Sequence, residues 1–598
     1  MEWKNILSSI AEKYNEDRCM EHICAIYNSD RWNDFDKYLE TADYCAKVME
    51  EAGLKQVEKL PLKADGKTLY GDWKLPKAWR VRKGVLRYPN GEVISDYHQK
   101  PCALSMYSPG SGGEIEAEVA DVSGMTSLPD DGTYKGKFLF TDLMPGAALP
   151  LARQVGAIGV LSYSMRLFPG VRDSKEELYD ECLWETMGQA FPDNTIFGFK
   201  LTPRQGDRLL EELRQGPVRL VADVDAELYE GICYTVSGVL EGTDPSLPEV
   251  LAYGHLYEPG ANDNASGCAA LLELAKSYCE AIKEGSLPRP KRSIRFVMGN
   301  ECGGSMGYLM SHPERKHLCS GVFDMVGTET IDRAIMDVRY NPIPNWSFAD
   351  AAIVAAERIY KEKFNTNFRF DHSHFRRDLG TDNINIADPA FDSPAVAMVA
   401  APATSYHSSM DTPERIESDV LKRNALVLGV YLYGLAGADE DTCKFLAGEI
   451  LALGEAEGKT EEHPQWKKLM QVATQRALYS LRKICPELSY AAPVEETLPV
   501  PDYAKEKGEW VPERLIPGCL GLNAHPGLKD PKFRPSWNVE LNLPLFWVDG
   551  NRNLWQIAVQ TAGEMCLFAD EDIQKKFRQL SDYFQFLVEL GYMRWKTI

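Results

Sequence analysis

Two histidines and three carboxylates stand at or just after the ends of apolar runs, and their types could hold a metal. They are His255 after Tyr253-Gly254, Asp263 within Pro259-Gly260-Ala261-Asn262-Asp263-Asn264-Ala265-Ser266-Gly267, Glu301 after Met298-Gly299, Asp324 within Phe323-Asp324-Met325-Val326-Gly327, and His407 within Tyr406-His407-Ser408-Ser409-Met410. Imidazole nitrogens and carboxylate oxygens together suit a borderline cation such as zinc. A carboxylate that bridges two ions would let the set hold a metal pair. Such a pair lowers the pKa of an attacking water and polarises a carbonyl oxygen.

Each residue also has an ordinary reading. A histidine after a strand is commonly a polar loop residue, and Asp263 before a helix could simply cap it. Glu301 could be a solvated loop acid, and His407 a satisfied structural histidine. Asp324 is harder to dismiss, because an unpaired carboxylate inside an apolar strand is costly. In order and in context, the five are far more specific than any one.

The elements that must position them follow a parallel-sheet pattern. Strands are expected at Val250–Tyr253, Ser293–Met298, Val322–Val326 and Ala395–Val399. Helices are expected at Cys268–Ile282, Ser305–Met310, Phe348–Lys361 and Ile416–Leu435. Apolar strands alternating with amphipathic helices argue an α/β fold, a mainly parallel sheet sandwiched by helices. Open sheets of this kind place their sites at the carboxyl ends of the strands, where the five residues stand. Upstream, Tyr38, Ala42, Cys45, Ala46 and Met49 recur at helical spacing, with Gly53 as C-cap. A small β-rich unit runs from about residue 111 to 232. Beyond residue 440 the chain reads as a C-terminal, mostly helical segment that includes a Pro-rich stretch, Pro486–Pro517.

Composition narrows the function. The 598 residues carry 66 basic and 88 acidic side chains, a net charge of -22. That sign repels phosphate, so nucleic acid is a poor partner. The longest apolar run, Ala425 to Ala438, has 14 residues, short of the ~18 a membrane span needs. The start, Met1 to Ile10, lacks an apolar signal core. The fourteen cysteines are scattered without a CxxC, which reads as reduced thiols in a cytoplasmic protein.

The segments quoted above, in their order, resemble the successive motifs of the zinc aminopeptidase family, whose relatives include leucyl aminopeptidases, glutamate carboxypeptidases and glutaminyl cyclases. The similarity spans about residues 233–438, in a peptidase core of residues 233–440, with residues 1–110 as an opening part of the same domain. Residues 111–232 resemble the family's protease-associated insert, through Lys135-Gly136-Lys137 and Ala152-Arg153-Gln154-Val155-Gly156-Ala157. Residues 441–598 form the appended helical domain, with a distant resemblance to a winged-helix module. The resemblance implies that His255 and Asp324 hold one zinc, that His407 and Glu301 hold the other, and that Asp263 bridges them. Asp382, in Gly380-Thr381-Asp382-Asn383, is similar to a family aspartate that orients the ligands or relays a proton. Tyr406 is a candidate donor on the oxyanion side.

Three departures bear on mechanism. The family's His-x-Asp is His255-Leu256-Tyr257, so the carboxylate expected to orient the histidine is missing. The family's adjacent glutamates, base and ligand, become Asn300-Glu301 when Gly299 and Gly303 are kept in register. Asparagine cannot take a proton from water. Shifting by one residue makes Glu301 the base and Cys302 the ligand. The following loop, Glu301-Cys302-Gly303-Gly304-Ser305, is also two residues shorter than usual, as in a divergent aminopeptidase-like branch. The expectation is a metallo-exopeptidase with one or two zinc ions that removes N-terminal residues from short peptides. The alternatives are a single-zinc amidohydrolase or cyclase acting on a non-peptide amide, and a peptide-binding protein with a decayed site. A homodimer is compatible with this size, although no residue marks one.

Overall fold

The structure is a computed structural model, and it describes residues 2–188, 193–373, 380–495, 498–522, 524–525 and 533–596. Its centre is an eight-stranded sheet. In spatial order the strands are Lys55–Ala64, Gly231–Leu240, Ile294–Asn300, Glu249–Leu256, His317–Asp324, Ala395–Val399, Asp337–Arg339 and Asp371–Ser373. The four strands from Ile294–Asn300 to Ala395–Val399 are mutually parallel. Antiparallel pairings flank them on both sides.

These strands are buried almost throughout, which is why they read as continuous apolar runs rather than alternating ones. One face is covered by the helices Ala265–Glu284 and Ser418–Ala436 together with the N-terminal helices. The helix Ser418–Ala436 contains the long apolar run up to Ala436, and nearly all of that stretch is buried in the core. No helix among the described residues is long and apolar enough to cross a membrane. The helix Phe35–Ala52 buries Tyr38, Ala42, Cys45 and Met49 and ends at Gly53 in the left-handed conformation.

The other face of the sheet is covered partly by the C-terminal segment. Leu543, Phe546 and Cys519 pack with Leu251, Tyr253, Val297 and Val399. Buried Asp72 accepts hydrogen bonds from the Gly521 and Leu522 N–H groups and from the Tyr592 hydroxyl. Three helices, Val539–Phe546, Leu554–Glu564 and Asp570–Glu589, lie between two short strands that pair antiparallel. Trp547 and Trp555 are both buried in this packing.

A second, seven-stranded sheet starts earlier than residue 111. It includes Ala78–Arg87, which pairs antiparallel with the returning strand Arg219–Tyr229, and the edge strand Val93–Asp96, which pairs antiparallel with Ala78–Arg87. The pair carries no local mark of which sheet it joins, because the strand that ties Ala78–Arg87 to the sheet lies far along the chain. All fourteen cysteines are free thiols.

Candidate metal centre

The parallel strands bring the site residues to one edge. His255 pairs in register with Gly299, and Leu256 with Asn300. Glu301 is therefore the next residue beyond that edge. Asp324 ends its own strand beside Val399, and the chain after Val399 leads to His407.

The loop Pro259–Gly267 is held by its own polar side chains. Asn262, Asn264 and Ser266 accept the consecutive N–H groups of Gly327, Met325 and Val326 at 2.8, 3.2 and 3.1 Å. Asn264 also caps the helix Ala265–Glu284 through Gly267 N–H, and donates to the Phe323 carbonyl. The Asp263–Asn264 peptide is cis. From the far side, Asp411 accepts the N–H groups of Asn262 and Asp263 at 2.7 and 3.0 Å. Gly260 is required by close approach: a Cβ there would lie 2.2 Å from Asp411 Oδ2 and 2.6 Å from the Asp263 carbonyl. Asp263 is thus not the helix cap. Asn264 does that work, which leaves the Asp263 carboxylate free for the site.

That carboxylate lies between two histidines. Asp263 Oδ1 is 3.2 Å from His255 Nε2, and Asp263 Oδ2 is 3.2 Å from His407 Nε2. Two groups of donors could each hold an ion, with all donor atoms of a group within 4.8 Å of one another. One is His255, Asp263 and Asp324; the other is Glu258, Asp263 and His407. Asp324 Oδ1 is buried and has no hydrogen-bond partner. A buried carboxylate oxygen left in that state is costly unless a cation meets it. Nitrogen and oxygen donors with such an oxygen among them fit zinc.

Glu301 belongs to neither group. Its carboxyl is pushed far above the usual range by burial, then by the neighbouring Glu258 charge. It therefore shares the field of the site without sitting at ligand spacing. Cys302 is in neither group either. Its thiol packs in the apolar cluster with Tyr253 and Ile384, so the register that would make it a ligand has no support in the geometry. Asn300 ends its strand, and its carbonyl accepts from the Tyr253 hydroxyl at 3.2 Å.

Asp382 is fully buried. It accepts from Cys302 N–H at 2.8 Å and from the Ser305 hydroxyl. Its other oxygen lies 3.7 Å from His255 Nδ1 and has no hydrogen-bond partner. Asp382 thus faces the side of His255 where the missing His-x-Asp carboxylate would be expected.

The charges are strongly coupled. Burial opposes the charged form of His255, but Asp324, Asp263 and Glu258 outweigh it and hold the imidazolium well above its usual range. Burial dominates at His407 and lowers it, against the pull of Asp263. Burial raises Glu258 to about 8 and Asp324 to about 6, and the Asp263 charge adds to both. Burial opposes ionisation of Asp263 as well, yet the two histidines hold it well below the usual carboxylate range. The Tyr406 hydroxyl is raised by burial and then by Asp263, Glu301, Glu258 and Asp324, so it too faces this field.

Sequence reasoning missed two contributors. Glu258 stands three residues after His255, its carboxylate 3.6 Å from His255 Nε2. Trp184, from the loop chain that joins the second sheet, stacks on His407 with ring centroids 4.0 Å apart. Fully buried Arg172 of the same region donates to the carbonyls of Thr404 and Tyr406 at 2.8 and 2.6 Å. A strained backbone marks the site as well. Tyr257, Cys302, Met325 and His407 all have φ between 54° and 74°. Such conformations cost bulky residues about 1–3 kcal/mol each and persist where the surroundings over-determine them.

Residues 236–432 match peptidase family M28. Among solved structures, the chain is similar to a peptidase M28 precursor from Shewanella amazonensis, with 15% identity, TM-score 0.51, and coverage of 73% of this chain and 97% of that one. It is similar to a zinc aminopeptidase from Bacillus subtilis, with 16% identity, TM-score 0.50, and coverage of 71% and 96%. At these identities the likeness to the two structures is one of fold.

Proposed function

We propose that this divergent M28 peptidase is a zinc-dependent aminopeptidase that releases N-terminal residues from short peptides. The observation that carries the reading is Asp263. It offers one carboxylate oxygen toward His255 and the other toward His407, both at 3.2 Å, as a carboxylate shared by two ions would.

In this reading His255 and Asp324 hold one zinc, His407 helps hold the second, and Asp263 serves both. When bound, zinc supplies a Lewis acid that activates water and polarises the scissile carbonyl. The remaining roles belong to the chain. Asp382 orients His255 through Nδ1, as carboxylates behind ligand histidines do. Glu301, outside both donor groups, accepts the proton of the attacking water and returns it to the leaving amine. The Tyr406 hydroxyl donates to the carbonyl oxygen as it gains charge. The excess of carboxylates gives a free α-amine a counter-charge. The loops of the second sheet, through Trp184 and Arg172, brace the His407 side and narrow the approach, which favours small substrates. The likeness of that unit to a protease-associated insert fits this role. Fourteen free thiols suit a reducing compartment, which supports a cytoplasmic location.

Elemental analysis of protein purified without chelator tests the reading, for wild type and His407→Ala. About two zinc per chain, falling in the variant, is the expected result. No zinc after incubation in zinc-replete buffer would move a peptide-binding role to first place.

A further inference from the structure

We infer that Glu258 is the carboxylate ligand of the second metal position, the place the family resemblance gives to Glu301. The inference rests on the zinc reading above and assigns a ligand within it.

The first ground is geometric. Glu258, Asp263 and His407 offer donor atoms within 4.8 Å of one another. Neither Glu301 nor Cys302 joins a donor group, although both alternatives follow from aligning the glutamate loop.

The second ground is how Glu258 is aimed. Tyr257, just before it, has φ 74°, a conformation that a bulky residue adopts only when held there. Three ties hold it. Its N–H donates to Asp30 Oδ2 at 2.8 Å, its carbonyl accepts from the Tyr38 hydroxyl at 2.9 Å, and its own hydroxyl donates to the Tyr234 carbonyl. Two of these partners are on the N-terminal helices and one is on the strand Gly231–Leu240. A loop with no task would have no need of this scaffold. Here it turns the chain directly after His255, so that Glu258, three residues on, brings its carboxylate to Asp263 and His407.

The third ground is the arithmetic of roles. The family shares base and ligand between two adjacent glutamates, and this chain has one at that loop. With Glu258 as the ligand, Glu301 is left as the base. The two tasks are divided between two loops, and the chain keeps a full set of donors for two ions.

The test is metal stoichiometry with isosteric variants, read by elemental analysis and by visible absorption during titration of the apo-protein with cobalt(II). Near-UV circular dichroism checks that each variant is folded. Wild type should hold about two ions, Glu258→Gln about one, and Glu301→Gln about two. Glu258→His, which restores a donor at the same point, should again hold about two, and this variant guards against a loss that comes from the loop alone. Retention of two ions by Glu258→Gln would overturn the assignment, as would loss of one ion in Glu301→Gln but not in Glu258→Gln. Wild type without any ion would overturn the zinc reading itself, which distinguishes that failure from this one.

Discussion

Trp184 lies stacked on His407, ring centroids 4.0 Å apart and planes inclined by 27°, and the Trp184 backbone N–H donates to the His407 carbonyl at 3.0 Å. One of the candidate ligands is therefore positioned by chain that belongs with the second sheet. The contact continues on both sides. The Ser409 N–H donates to the Cys182 carbonyl, and Arg172 holds the carbonyls of Thr404 and Tyr406.

Removing the Trp184 ring should loosen His407 without touching a donor atom. Trp184→Leu is expected to lower stability by about 1–3 kcal/mol. It should also weaken retention of the second ion by roughly 10–100-fold, the range for residues that support a ligand from behind. Competition with a chromophoric chelator measures the second effect. Unchanged metal affinity would show that His407 is held by its own loop.

Glu301→Gln separates base from ligand. The variant should keep its metal content and lose about 10²–10⁴-fold in kcat, the share general base catalysis typically contributes. Steady-state kinetics on metal-loaded protein checks this, and a loss confined to KM would contradict the role.

Gly260→Ala tests the packing of the loop. The added methyl would meet Asp411 Oδ2 and the Asp263 carbonyl at 2.2 and 2.6 Å, and both are fixed by hydrogen bonds. Overpacking of this kind costs about 1–3 kcal/mol, and the displaced Asp263 should bind metal less well. Thermal unfolding in chelator and in zinc buffer reads both effects.

Asp30 gives a pH signature away from the donor groups. Burial raises it to about 7, against the Thr41 hydroxyl and the Tyr257 N–H, which favour the ionised form. The unfolded acid titrates near ~3.9. Between about pH 4 and 7 the unfolded chain has given up this proton while the folded chain keeps it, so stability falls as pH rises through that window. Asp30→Asn should remove this component, so that the variant loses less stability than wild type between pH 5 and 7.5 in urea unfolding. Parallel curves would contradict the shift.

Much of this arrangement is written locally in the chain. The central strands read as strands because they are buried on both faces, and the helix Phe35–Ala52 reads as a helix because Tyr38, Ala42, Cys45 and Met49 repeat on one side. The motif Pro259–Gly267 is legible for a physical reason. Its asparagines and serine bind the backbone at 325–327, its glycines admit close approach, and one aspartate is left for the site. Glu258 is not legible in the same way. An acid before Pro-Gly looks like a solvated loop residue, and its direction is set by Asp30 and Tyr38 through the backbone of Tyr257 and by Tyr234 through the Tyr257 hydroxyl. The same holds for Trp184 and for the strand Ala78–Arg87, whose partner Arg219–Tyr229 lies far along the sequence. Tertiary contacts of this kind leave no spacing to read.

The most direct test of the central claim is hydrolysis of one short peptide in two forms, with a free and with an acetylated N-terminus, by protein stripped of metal and then reloaded with zinc. Mass spectrometry of the products follows the cleavage. The account predicts release of the N-terminal residue from the free-amine peptide alone, only after zinc is restored. Equal cleavage of the acetylated peptide, or undiminished cleavage by the stripped protein, would contradict it.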